Sequence, residues 1–309
     1  MKKLLSIFAL VLTVFLITAC GSSSETDGDT SGDNGNSGEQ SSDEGSGEAS
    51  GKLAELREAG VVKIGFANEK PYAYQDENGE LKGEAVAIAK AVFKELGVDE
   101  VDGQLADFSQ LIAGVQAGKF DVATAGMAIT PERCKQADFG EPEIQYGEGL
   151  IVQEGNPLDL HSYSDIADNP DVTVSVMSGA TEIGFLKEMG VSEDQISEAP
   201  DIPATFAAVQ SGRADATTGT EMTIKMALES SDQDALEFVE DFEQPDIEGV
   251  PSYGAAVFHQ DNDDLREAYN EVLQQKKEDG EILDLITPSG FSERNLVPND
   301  LTTEELCQG

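Results

Sequence analysis

The sequence predicts an α/β fold made of two similar lobes, each with a mostly parallel sheet. Two observations carry that prediction. Strand-like and helix-like segments alternate along the chain, the pattern of parallel sheets covered by helices. In addition, the phrase VQAGKFDVATAG at 115–126 returns as VQSGRADATTGT at 209–220. In each copy Val-Gln closes a helix. A glycine, Gly118 or Gly212, stands where a helix end takes a left-handed residue, and a short β-prone run follows. Two units of one design point to two lobes of one design. The competing explanation is chance, because Gly, Ala and Asp are frequent here.

The elements follow in order. In residues 1–19, Lys2 and Lys3 precede an apolar run from Leu4 to Ile17. That run is short for a bilayer span and ends in small residues. It reads as an export signal, with a membrane-anchor helix as the alternative. ITAC at 17–20 resembles a bacterial lipobox, which implies cleavage before Cys20 and lipid attached to that residue. Residues 20–51 are Gly, Ser and acid with no basic residue, too polar to offset their ordering entropy, and are expected to be a disordered tether. DGDTSG inside it glances at a calcium loop. The position where such a loop needs a bidentate Glu is Gly38, so no metal is expected.

LAELREAG (53–60) is a short helix and VVKIGFANE a strand running into a loop at Asn68-Glu69. EAVAIAKAVFKELG (84–97) is strongly amphipathic and ends at Gly97. FSQLIAGVQAG puts Phe108, Leu111, Ile112 and Val115 on one helix face. ITPERCKQADF has Thr130 as N-cap and Pro131 at the first helical position. YGEGLIVQEGN (146–156) and PSYGAAVFHQ (251–260) are β-rich, and SGAT at 178–181 opens a helix after the strand DVTVSVM. The second repeated unit follows, then helices near 221–229 and after Asn262. Ligands of parallel sheets bind at the carboxyl ends of strands. Glu69, Gly126, Arg133, Ser178–Thr181 and Thr220 all fall there, so each repeated phrase ends at the wall of a shared crevice.

The formal charge is −42, from 61 acidic and 19 basic residues among 309. This excludes nucleic acid and anionic membrane surfaces as partners. It fits an exported protein of a salt-rich setting, with a merely acidic secreted protein as the alternative. Only two histidines are present, and no nucleophile elbow, zinc-ligand spacing or phosphate loop, so neither an enzyme nor a cofactor is expected. Cys134 and Cys307 are left once Cys20 is lipidated, in a compartment where thiols can pair.

GFANEKPYAY, EAVAIAKAVFKELG, FDVATAGMAITPERCKQADF and SGATE resemble the polar amino-acid family of ABC-importer substrate-binding proteins. ANEKPYAY with AGMAITPERCKQ is most similar to its ectoine/hydroxyectoine-binding members. The resemblance implies a two-lobed Venus-flytrap fold (periplasmic-binding-protein type II). Lobe one is then 52–149 with 255–309 and lobe two 150–254, with hinge strands near Leu150 and Ala255. It implies a monomer on the outer face of the cytoplasmic membrane, handing a small zwitterion to ABC permease subunits.

The implied ligand contacts are Glu69, Tyr72, Phe108, Arg133, Thr181, Thr220 and the backbone N–H at Ile129. Arg133 would fork onto a carboxylate, Thr181 would add a hydroxyl beside free N–H groups, and Glu69 would take a cation. Tyr72 and Phe108 would wall a delocalised cation. Each also has a plain structural reading: a surface arginine, a helix cap, one more surface acid, or core rings. Amino-acid binders of the family place an Asp where this chain has Thr220, and the ectoine binders a third aromatic where it has Ala128; Tyr74 or Tyr253 would have to compensate. The alternative ligand is a polar amino acid. A remoter alternative is a dehydratase using Glu69 on the same fold. Cys134 and Cys307 are expected to form a disulfide holding the C-terminal tail near Arg133.

Overall fold

The computed structural model describes residues 51–230 and 235–309. The expected signal segment, Cys20 and nearly all of the tether lie outside the described residues. Two sheets organise the chain. The first runs in the order Glu100–Leu105, Val61–Phe66, Val122–Ala128, Ser252–Phe258, Asp138–Phe139, with Ile144–Tyr146 also paired to Ser252–Phe258. The second runs Ile196–Ala199, Val174–Met177, Ala216–Thr220, Glu148–Gln153, Leu236–Phe238.

Each sheet is parallel at one side and antiparallel at the other. Val61–Phe66 pairs in parallel with both Glu100–Leu105 and Val122–Ala128, and Val174–Met177 does the same with Ile196–Ala199 and Ala216–Thr220. The two β-rich segments at 146–156 and 251–260 supply the antiparallel members, Glu148–Gln153 against Ala216–Thr220 and Ser252–Phe258 against Val122–Ala128. The chain therefore crosses to the second sheet between Tyr146 and Glu148 and is back in the first by Ser252. Both crossings fall just before the expected boundaries at Leu150 and Ala255.

The central strands are covered on both faces, which is why they read as continuous apolar runs. Every residue of Val122–Ala128 is buried. Helix Glu84–Glu95 buries Ala85, Val86, Ile88, Ala89, Val92 and Phe93 against the first core, where Tyr269 and Leu273 of helix Asp263–Glu278 also pack.

The repeated phrase has the expected geometry twice. Gly118 and Gly212 have φ of 65° and 69°. Lys119 N–H donates to Gly114 O and Arg213 N–H to Ala208 O, both at 2.9 Å, so each helix ends in the same left-handed cap and turns into a central strand. The 108–117 helix differs from expectation. Phe108–Gln110 is a 3₁₀ turn, and the α-helix spans Leu111–Gln116. The tighter turn takes Phe108 out of the core stripe, leaving Leu111 and Val115 buried and Phe108 half-buried between the two sheets' cores.

Cys134 and Cys307 are bonded, with S–S at 2.01 Å. The bond fixes the last helix, Thr303–Gln308, to the single turn Pro131–Cys134, and Thr303 Oγ1 adds a hydrogen bond to Gly140 O at 2.6 Å. No helix among the described residues is long and apolar enough to cross a membrane.

Candidate ligand-binding site

The loops after four strand ends meet in a small cavity between the two sheets' lobes. Glu69, Tyr72, Phe108, Arg133, Thr181 and Thr220 all line it.

Glu69 follows strand Val61–Phe66 and is held by a two-way backbone bridge to Ala73, at 2.9 and 3.0 Å. Its carboxyl reaches across the cleft, where Thr223 Oγ1 donates to Oε1 at 2.7 Å. Thr220 Oγ1 in turn donates to Thr223 Oγ1 at 2.9 Å. Burial pushes the Glu69 carboxyl up to about 7, with the Thr223 hydrogen bond opposing that and nearby Glu182 adding to it. A cation placed beside Glu69 would reverse the shift.

Arg133 sits in the turn that Thr130 caps, Thr130 Oγ1 accepting from Arg133 N–H at 3.2 Å. Its guanidinium donates from Nη1 to Ala128 O at 2.9 Å and from Nη2 to Gly179 O, on the other lobe, at 2.8 Å. It also lies over the Phe108 ring, 5.5 Å from the centroid. Burial draws the guanidinium's pKa down, while Tyr146, Glu182 and Glu69 support its charge. A guanidinium has five donors, so this anchoring leaves others for a carboxylate. Arg133 is the one cationic side chain among the described residues lining the cavity.

The aromatic wall is built around a glycine. Tyr72 lies so close over Gly126 that a Cβ there would sit 2.2 Å from its ring, and Gly126 has φ +59°. Tyr146 fixes this arrangement from the far side, its hydroxyl donating to Gly126 O at 2.6 Å and its ring meeting Tyr72 edge-on at 5.4 Å. The Tyr72 hydroxyl is buried without a partner. A buried polar group of this kind is one a ligand can satisfy.

Two expectations need correction, at Ile129 and at the compensating ring. Ile129 does not line the cavity; its N–H extends the sheet by donating to Tyr253 O at 2.8 Å and is no longer free for a ligand. At the Thr181 turn two amides are engaged, Ser178 N–H donating to Ala199 O and Ala180 N–H to Met177 O, and the helix that starts at Glu182 follows directly. The Thr181 hydroxyl caps no backbone amide and lies 3.5 Å from Glu182 Oε2. The further ring that lines the cavity is neither Tyr74 nor Tyr253 but Tyr146. Tyr74 instead faces Lys70, whose Nζ lies 5.1 Å from its ring centroid.

The structure adds residues that sequence reasoning passed over. Tyr146 and Glu182 line the cavity, Thr223 holds Glu69, and Met177 and Ile202 close the floor. Tyr146 carried one usable signal, its position at the point where the first lobe's strands run out.

Comparison with known proteins agrees with this geometry. The model of the bacterial extracellular solute-binding proteins, family 3, matches residues 62–287. A probable amino-acid ABC transporter periplasmic-binding protein of Sinorhizobium fredii is 35% identical over 261 residues, 82% of this chain and 85% of the relative. The arginine-binding extracellular protein ArtP of Bacillus subtilis is 26% identical over 286 residues, 91% of this chain and 95% of the relative. The crystal structure of EhuB in complex with hydroxyectoine superposes with a TM-score of 0.75 at 33% identity, covering 83% of this chain and 97% of that one.

Proposed function

The chain belongs to the bacterial extracellular solute-binding proteins of family 3, as the binding component of an amino-acid-type ABC importer, and from that premise we propose that its ligand is ectoine or hydroxyectoine. The observation that carries this reading is the facing pair Glu69 and Arg133 in one aromatic-walled cavity. Arg133 takes the ligand's carboxylate with the Thr181 hydroxyl. Glu69 takes the amidinium, and Tyr72, Phe108 and Tyr146 cover the delocalised cation's faces. Thr220, where amino-acid binders carry an acid, supports Glu69 through Thr223 instead. The likeness to EhuB adds support.

One observation favours a second reading, a polar amino acid. Glu182 lines the same wall, with Oε1 only 3.9 Å from where a Gly219 Cβ would stand. An α-ammonium could pair there. Calorimetric titration with ectoine, hydroxyectoine, L-glutamine, L-arginine and glycine betaine separates the two. Tight binding of ectoine with no binding of the amino acids supports the first reading; the converse overturns it. Recovery of chemically unchanged ligand after incubation supports a receptor, and turnover would revive the dehydratase reading.

We also place lobe one at 52–149 with 255–309 and lobe two at 150–254, acting as a monomer. A lipid on Cys20 holds the protein to the outer face of the cytoplasmic membrane. Replacing Cys20 with Ala should release protein into the medium or leave precursor. Retention of a processed variant would remove the anchor.

A further inference from the structure

The Tyr72 hydroxyl is a hydrogen-bonding group that the site leaves unused. Tyr72 lines the ligand cavity and is 2% exposed, and no described residue gives its Oη a hydrogen bond or takes one from it. The polar groups around it are engaged elsewhere. Tyr146 Oη donates to Gly126 O at 2.6 Å. Thr220 Oγ1 donates to Thr223 Oγ1 at 2.9 Å, and Thr223 Oγ1 to Glu69 Oε1 at 2.7 Å. The ring is also held where it stands. Gly126 lies directly against it, and the Tyr146 and Phe291 rings meet it at centroid distances of 5.4 and 5.3 Å. Its backbone is tied down as well, Ala85 N–H donating to Tyr72 O at 3.1 Å. Burial first, and Tyr146 second, raise the phenol well above its ordinary value, so it keeps its proton. It is thus a donor and an acceptor with nothing in the protein to meet.

What can meet it is limited by how the ligand lies, and this step rests on the ligand proposed above. A planar amidinium covered by the Tyr72 ring carries its N–H groups in its own plane. It directs none of them at the rim of a ring stacked over its face. A substituent on a saturated ring carbon stands out of that plane, and hydroxyectoine differs from ectoine by a hydroxyl on such a carbon. We propose that Tyr72 Oη is a specificity-determining group that pairs with the ring hydroxyl of the ligand, so that the site selects a hydroxylated cyclic zwitterion over its unhydroxylated parent. Bound ectoine leaves the phenol buried and unpaired, whereas hydroxyectoine brings it both a donor and an acceptor. A site with a buried polar group placed in this way discriminates against the ligand that lacks the partner.

The test is calorimetric titration of wild type and Tyr72→Phe with hydroxyectoine and with ectoine, each protein first melted without ligand. Phenylalanine keeps the ring and removes only the hydroxyl. Wild type should bind hydroxyectoine about three- to tenfold more tightly than ectoine, the worth of one neutral hydrogen bond, and in Tyr72→Phe that preference should fall below about twofold. The ligand-free variant should melt no lower than wild type, because it loses no hydrogen bond within the protein. Equal affinity of wild type for the two ligands, or a preference that persists in Tyr72→Phe, overturns the assignment. A variant that melts several degrees lower, or does not fold, also overturns it, since the hydroxyl then has a partner within the protein. Binding of both ligands with an unchanged ratio removes the selectivity alone. Failure of either ligand to bind wild type removes the ligand reading, and the selectivity with it.

Discussion

Thr223 and Glu69 are joined across the cleft, the Thr223 hydroxyl donating to the Glu69 carboxyl at 2.7 Å. Glu69 comes from a loop of the first lobe and Thr223 from helix Glu221–Glu229 of the second. Arg133 makes the matching bridge at the other end of the cavity, onto Gly179 O at 2.8 Å. Both charged ends of the site are therefore completed by the opposite lobe. Forming the site and closing the lobes become one event, so ligand affinity and interlobe contact share their free energy.

Removing either charge should expose that dependence. Arg133→Ala or Glu69→Ala leaves the ligand's opposite charge buried and unpaired, which costs several kcal/mol. We expect ectoine affinity to fall on the order of a hundredfold or more by calorimetry. Thr223→Val should cost less, about tenfold, since it removes only the hydrogen bond holding Glu69. Wild-type affinity in Arg133→Ala would refute the assignment.

Gly126→Ala tests the aromatic wall. The new methyl would stand 2.2 Å from the Tyr72 ring on a backbone at φ +59°. The left-handed conformation alone costs a non-glycine residue about 1–2 kcal/mol. Tyr72 must then leave its place against Tyr146. Ligand affinity should drop at least tenfold and the melting temperature by several degrees. An unchanged melt with unchanged affinity would show that Tyr72 is not held by this contact.

Ligand-free stability should decline as pH rises from about 5 to 8. Glu69 and Glu143 are both pushed up to about 7, mainly by burial, and Glu84 and Glu148 are raised as well. An acid with a raised folded pKa binds more protons folded than unfolded. Its contribution is present in full below the ordinary carboxylate value and is lost as pH climbs to the folded value. For Glu143, 2% exposed and hydrogen-bonded by Tyr269 Oη at 2.7 Å, this is on the order of 3 kcal/mol at most. Melting curves across this range check the sign, and Glu143→Gln should flatten part of the slope. Stability that rises toward pH 8 would contradict the burial argument.

Breaking the Cys134–Cys307 bond should loosen the turn carrying Arg133. The bond spans a sequence separation of 173 residues, so its loss frees a long loop in the unfolded chain. Replacing both cysteines with Ser should lower stability by about 2–4 kcal/mol. It should also weaken ligand binding several-fold, because helix Thr303–Gln308 no longer braces Pro131–Cys134. Equal stability with and without the bond would count against the bracing role.

Salt should stabilise the protein. With a formal charge of −42, self-repulsion within the folded lobes is screened as ionic strength rises. A melting temperature that climbs from low salt to molar sodium chloride is expected. A flat response would remove the case for a salt-rich habitat.

What the sequence determined by itself is local. Gly118 and Gly212 had to be left-handed caps because few other residues adopt that backbone cheaply, so both helix-to-strand turns were legible from one repeated phrase. Thr130-Pro131 announced the turn that carries Arg133 for the same kind of reason, since capping chemistry acts within a few residues. The strand ends, and with them the positions of Glu69, Arg133, Thr181 and Thr220, followed from alternation alone. Only the tertiary structure decided which distant groups face one another. Tyr146 is a core-like ring by periodicity and a cavity wall by topology. Ile129 offered a backbone donor until the Tyr253 carbonyl, from a strand far along the chain, took it. Glu69 is one acid among 61 in the sequence. Its meaning comes from being enclosed beside the Thr223 hydroxyl and the Arg133 guanidinium, because the cost of a charge depends on what surrounds it in space, and sequence neighbours do not report that.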